Sequence, residues 1–156
     1  MENCTRIWDA PVLLEEYRQL LLDPHVDALP LVISGSSMTP FLVPGRDTVF
    51  LSRLNAPVKR GQMLLYQRDN GAYVLHRVYK VRNGAFTMVG DAQTVLEPGI
   101  RPDQVIAVVS QVTRKGKMLL PCSFCWAFFE KIWIRMVPLR PIARRFYMAF
   151  RKLWKG

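Results

Sequence analysis

The chain is poor in histidine and cysteine and, past residue 113, almost without acid. Two of its 156 residues are histidine and three are cysteine. Three cysteines build no disulfide framework, so reduced thiols are expected. Cys122-Ser-Phe-Cys125 is a lone CxxC. It lacks the second ligand pair that zinc needs and the βαβ setting of a redox motif, which leaves small apolar packing as its role and no metal or other cofactor in the reading. No uncharged apolar run reaches the roughly 18 residues of a membrane span, so no transmembrane helix is read. Met1-Glu2-Asn3-Cys4 has neither the basic start nor the apolar run of a secretory signal peptide.

The charge is lopsided. Residues 1–113 hold eleven Lys/Arg and eleven Asp/Glu, while residues 114–156 hold eleven Lys/Arg against Glu130 alone, so the tail carries the whole net +10. A neutral body with a basic, aromatic tail calls for an anionic partner, lipid or nucleic acid.

Could the tail span a bilayer? Over 118–139 it contains Glu130, Lys131 and Arg135, each costing about 2.5–3.5 kcal/mol near a helix centre. The roughly ten apolar residues there return only about 0.5 kcal/mol each, so spanning is disfavoured. Trp126, Trp133 and Trp154 among Phe and Arg suit a helix lying on anionic lipid. The alternatives are docking of Trp126, Phe129 and Trp133 on the body as core, and nucleic acid, which ranks last. The expected partner is therefore a membrane surface bound by residues 118–156, with the protein on the cytoplasmic side and no nucleic acid.

Three regions are predicted. Residues 1–30 contain a short amphipathic helix over 11–22, with Asp9 as N-cap, Pro11 in the first turn and Pro24 past the end. Residues 31–113 form a mainly β domain of about six strands, over 31–34, 47–52, 62–67, 72–81, 85–89 and 104–112. Asp69-Asn70-Gly71 and Arg82-Asn83-Gly84 mark hairpin turns within it. Residues 114–156 form an amphipathic helical tail. Its first apolar stripe is Trp126, Phe129, Trp133 and Met136; Pro138 and Pro141 interrupt it, and Ile142, Phe146, Ala149, Phe150 and Leu153 make a second.

The chemistry centres on Ser37 in Ser34-Gly35-Ser36-Ser37-Met38-Thr39-Pro40 and on His76, about forty residues downstream. A serine hydroxyl needs a base before it attacks anything. Histidine, with an ordinary pKa near 6.5, is largely free base at neutral pH. The apolar run before Gly35 places Ser37 on a turn leaving a strand, where backbone N–H groups can face an oxyanion. Alone, Gly-Ser-Ser is more often a polar turn, and a lone histidine more often a satisfied buried one. His25, in a loop, is read as surface. A third group should hold the imidazole tautomer, and Asp91 and Glu97 are the candidates.

Ser-Met-x-Pro, then His-Arg-Val at 76–78, then Gly90-Asp91-Ala92-Gln93, in that order, resembles the signal peptidase family of serine endopeptidases, in the branch with histidine as base. Gly45-Arg46-Asp47, the strand after Gly61 and the segment 104–109 continue the resemblance over residues 31–113. It implies the signal peptidase/LexA-like β-fold, attack by Ser37 on a peptide carbonyl, and His76 as base and then acid. Glu97 lies roughly where the family carries its catalytic aspartate, so the resemblance favours Glu97 as the orienter, with Asp91 structuring its turn or sharing the role. Gly35 replaces a serine that assists the oxyanion in some members, leaving Gly35 and Ser36 as turn residues and backbone N–H groups, such as that of Ser37, as the donors. The expected function is cleavage of exported or leader-bearing peptides. A catalytically degenerate fold acting as a membrane-surface adaptor is the alternative. A self-cleaving regulator of the LexA type ranks low, because a lysine base and an Ala-Gly cleavage site are both missing.

Overall fold

The computed structural model describes residues 10–142. The N-terminal helix α1 (Ala10–Leu20) precedes β1 (Leu29–Val32), β2 (Thr48–Ser52), β3 (Met63–Gln67), β4 (Tyr73–Arg82), β5 (Ala85–Val89), β6 (Glu97–Ile100), β7 (Val105–Arg114) and β8 (Lys117–Leu119). Together the strands make one eight-stranded sheet in the order β1-β2-β7-β3-β4-β5-β6, with β8 on β7, and every pairing is antiparallel. The mainly β architecture with a short N-terminal helix and helical segments after the sheet is as expected.

Six strands fall where alternation and turn signals put them, within two residues at each end. β6 and β8 were not expected. β6 reads Glu-Pro-Gly-Ile, with two residues that strands avoid, and it tolerates them as the last strand of the sheet order. β8 is only three residues long. Both hairpin turns form. In the second, Asn83 and Gly84 have φ of 51° and 74°, the paired left-handed conformations that a tight two-residue turn demands.

β3 separates two cores. Met63 and Leu65 face a cluster with Leu14, Met38, Phe41, Trp126 and Phe129, whereas Leu64 and Tyr66 face one with Val78, Phe86, Met88 and Ile100. Burial on both faces explains why this strand is nearly unbroken in its apolarity. Leu14 of α1 and Leu21 just beyond it close the first core, and Arg53 donates to the Leu21 carbonyl. Asp9 lies outside the described residues.

The tail turns back onto the sheet. α2 (Phe124–Ala127), capped by Ser123 Oγ, runs into a π turn over Phe128–Ile132 and a 3-10 segment over Trp133–Leu139. The stripe begins as expected, with Trp126 and Phe129 buried, but then slips by one residue: Ile134 and Val137 are buried, while Trp133 and Met136 are only partly so. The wider π turn accommodates an additional residue and rotates the following side chains out of phase. Pro138 does not end the helical course. It sits inside the 3-10 segment, and residues 140–142 are helical again. The second stripe lies outside the described residues except for Ile142, which is exposed. Among the described residues no helix is long and apolar enough to cross a membrane.

Candidate active site

Ser37 and His76 line one cleft of about 370 Å³, together with Gly35, Gln93 and Arg68. Leu13 and Leu14 of α1 form an apolar wall of the same cleft. Ser37 sits on the turn after β1, where Thr39 closes back on the Ser36 carbonyl through its N–H (3.1 Å) and its hydroxyl (2.6 Å). Met38, almost wholly buried, anchors that turn in the first core. Among the described residues the Ser37 N–H donates to no acceptor.

The Gly90-Asp91 turn holds Ser37 from the other side. The Ala92 N–H donates to the Ser37 carbonyl at 2.9 Å. A Cβ on Gly90 would lie 2.5 Å from that same oxygen, so the close approach requires glycine.

His76 lies opposite Leu64 in the β3–β4 ladder, on the same face as Tyr66, whose partner is Val74. Its neighbour Arg77 faces the other way, because side chains alternate along a strand. Tyr66 Oη is 3.2 Å from His76 Nδ1 and donates to Glu97 Oε2 at 2.7 Å. Glu97 opens β6 opposite Met88, and Arg68 grips both its oxygens at 2.6 and 2.7 Å. Glu97 itself is 3.9 Å from His76 Nδ1, beyond hydrogen-bond range.

Charge follows from this arrangement. Chiefly through the Arg68 hydrogen bonds, the Glu97 carboxyl is held below its ordinary range. Burial, reinforced by Glu97, pushes the Tyr66 phenol upward, so it stays protonated. Burial drives His76 down to about 4, against the pull of Glu97, so its imidazole is neutral at physiological pH. A neutral imidazole is the form a general base requires.

Asp91 does not share the histidine. It is fully buried against Arg77, whose Nε lies 2.9 and 3.0 Å from its two oxygens, and its backbone carbonyl accepts from Trp133 Nε1 at 2.9 Å. Burial pushes the Asp91 carboxyl up, opposed by the Arg77 charge. Arg77 also donates to the Gly61 carbonyl and stacks 4.7 Å from the Phe41 ring centre. The acid of the Gly-Asp motif thus pairs with Arg77 and not with His76, which matches the turn-structuring role of the two the sequence offers it. From the tail, Arg140 donates to the Gly90 and Gln93 carbonyls at 2.7 Å each, so the tail buttresses the same turn.

Gly35 and Ser36 are exposed, and no atom lies within 4 Å of where a Gly35 Cβ would be. No hydrogen bond joins Ser37 Oγ to His76 among the described residues; the two meet only as walls of one cleft. Cys122 is exposed and Cys125 accepts from Arg114 at 3.0 Å. Tyr66 and Arg68 escaped the sequence reading. The signal was there: closing the Asp69-Asn70-Gly71 hairpin brings Tyr66 onto the face of His76. Comparison of the chain with protein-family models, curated proteins and solved structures finds no match.

Proposed function

We propose that the chain is a serine endopeptidase of signal-peptidase type that cleaves exported or leader-bearing peptides at a membrane surface. The observation that carries this reading is that Ser37 and His76, distant in sequence, line a single cleft. Ser37 Oγ attacks the scissile carbonyl, His76 Nε2 takes its proton and later delivers it to the leaving amine, and water hydrolyses the acyl-enzyme. The oxyanion is met by backbone N–H groups, that of Ser37 among them. The signal peptidase/LexA-like form of the β-fold belongs to the same proposal. Labelling by a serine-reactive acylating probe tests it: wild type should label at Ser37, and Ser37→Ala and His76→Ala should not. Equal labelling of all three sinks the reading.

Membrane association is supported by the outer side of the tail. Phe124 is 86% exposed, and Ile132 and Leu139 are about half exposed, beside the exposed cations Lys131 and Arg135. The buried stripe packs on the sheet, which leaves this side for anionic lipid.

A catalytically degenerate adaptor is the second reading. It draws on the unjoined Ser37–His76 pair and on the missing hydroxyl at position 35. Retention of vesicle binding without any acylation of Ser37 would favour it.

A further inference from the structure

We propose that Tyr66 is the positioning residue of the site, a phenol inserted between His76 and Glu97 that fixes which imidazole nitrogen carries the proton. A phenol has one hydrogen to give. Glu97 is ionised and gripped by Arg68, so it only accepts, and Tyr66 Oη spends its hydrogen on it at 2.7 Å. What faces His76 Nδ1 at 3.2 Å is then a phenol lone pair, which accepts only if Nδ1 bears the hydrogen. Nε2 is left with its lone pair free for the serine proton. Direct orientation by Glu97 is ruled out by its 3.9 Å separation from Nδ1.

The arrangement differs in kind from a histidine bonded directly to a carboxylate. When Nε2 gains the serine proton, the imidazolium is stabilised by the phenol oxygen, whose dipole Glu97 holds in place, and by the carboxylate at longer range. No proton needs to move from Nδ1. The phenol and the imidazole are buried, Tyr66 fully and His76 with 3% exposed, while Glu97 is only partly covered; between two buried rings an oriented dipole interacts strongly.

The tautomer is a property of the geometry, whereas its use as a general base rests on the peptidase reading. The test separates the two. Nitrogen-15 chemical shifts of His76 at pH 7 should report Nδ1–H and an unprotonated Nε2 in the wild type. Tyr66→Phe removes the acceptor and should give a mixture of both tautomers. Glu97→Ala frees the phenol hydrogen to point at Nδ1 and should invert the tautomer to Nε2–H, even with Tyr66 in place. Under the peptidase reading, acylation of Ser37 should fall at least about tenfold in Tyr66→Phe, a part of the roughly 10²–10⁴-fold that a well-placed general base contributes, and further in Glu97→Ala. A wild-type His76 found as Nε2–H, or shifts unchanged in both variants, overturns the positioning role. Absence of acylation in a wild type with the expected shifts overturns the peptidase reading alone.

Discussion

The Ser37 carbonyl occupies the space where a side chain on Gly90 would begin, 2.5 Å from its Cβ position. This contact joins the serine turn to the Gly-Asp turn and sets where Ser37 stands against the strand carrying His76. Gly90→Ala must push the two turns apart, an overpacking that costs about 1–3 kcal/mol. Thermal unfolding should show that loss, and Ser37 acylation should fall with it. Acylation at the wild-type rate would mean that the close approach has no functional weight.

Arg77 and Asp91 form a buried pair. Removing one partner strands the other charge, at a cost of about 3–5 kcal/mol. Asp91→Asn or Arg77→Met should therefore show a large drop in urea midpoint, whereas an Arg77→Met/Asp91→Leu double variant should recover part of it. If Asp91 instead oriented the histidine, Asp91→Asn would change the His76 nitrogen shifts; they should stay as in the wild type.

The depressed His76 pKa makes stability depend on acid. Folding favours the neutral imidazole, so the unfolded chain binds this proton at higher pH than the folded one. Stability is full above about pH 6.5, falls as pH drops towards about 4, and levels off below that for this group. The total loss is on the order of 3 kcal/mol. Glu97, with its lowered pKa, adds a separate loss below the ordinary carboxylate range. Denaturant titrations should show the His76 slope in the wild type and its disappearance in His76→Gln. Ser37 acylation should persist into mildly acidic buffer for the same reason.

Position 35 has room. Gly35→Ser meets nothing within 4 Å, so folding stability should change by no more than about 0.5 kcal/mol. A hydroxyl there that reaches the oxyanion should raise the acylation rate by about tenfold or more. No rise would leave the backbone donors as the whole of the oxyanion site.

Trp126 and Phe124 lie two residues apart on α2 and should behave oppositely. Trp126→Ala empties a core site against Phe41 and should cost about 3–5 kcal/mol. Phe124→Ser, at an exposed position, should leave stability within about 0.5 kcal/mol. Flotation with anionic vesicles should show weakened binding for Phe124→Ser; unchanged binding would remove this side of the tail from the interface.

Much of the fold was legible because local chemistry imposed it. Asn83-Gly84 can adopt the backbone its turn needs, and the alternation through Val74, His76 and Val78 assigns the histidine to one sheet face. β6 was hidden because its pairing with β5 overrides the poor strand character of Pro98 and Gly99. The stripe of the tail was legible up to Phe129 and then misread, since periodicity assumes an unbroken α-helical turn and the π turn shifts it.

The sequence by itself singled out the candidate pair, Ser37 on a turn and His76 on a strand, because a base for a serine has few alternatives in a chain with two histidines. Only the tertiary structure decided which acid serves which partner. Asp91 and Glu97 are both carboxylates near the histidine in sequence, but alternation along β4 turns Arg77 toward Asp91, and the edge pairing of β6 sets Glu97 beside Tyr66. Reach across strands decides such partnerships, and that distance is fixed by sheet register.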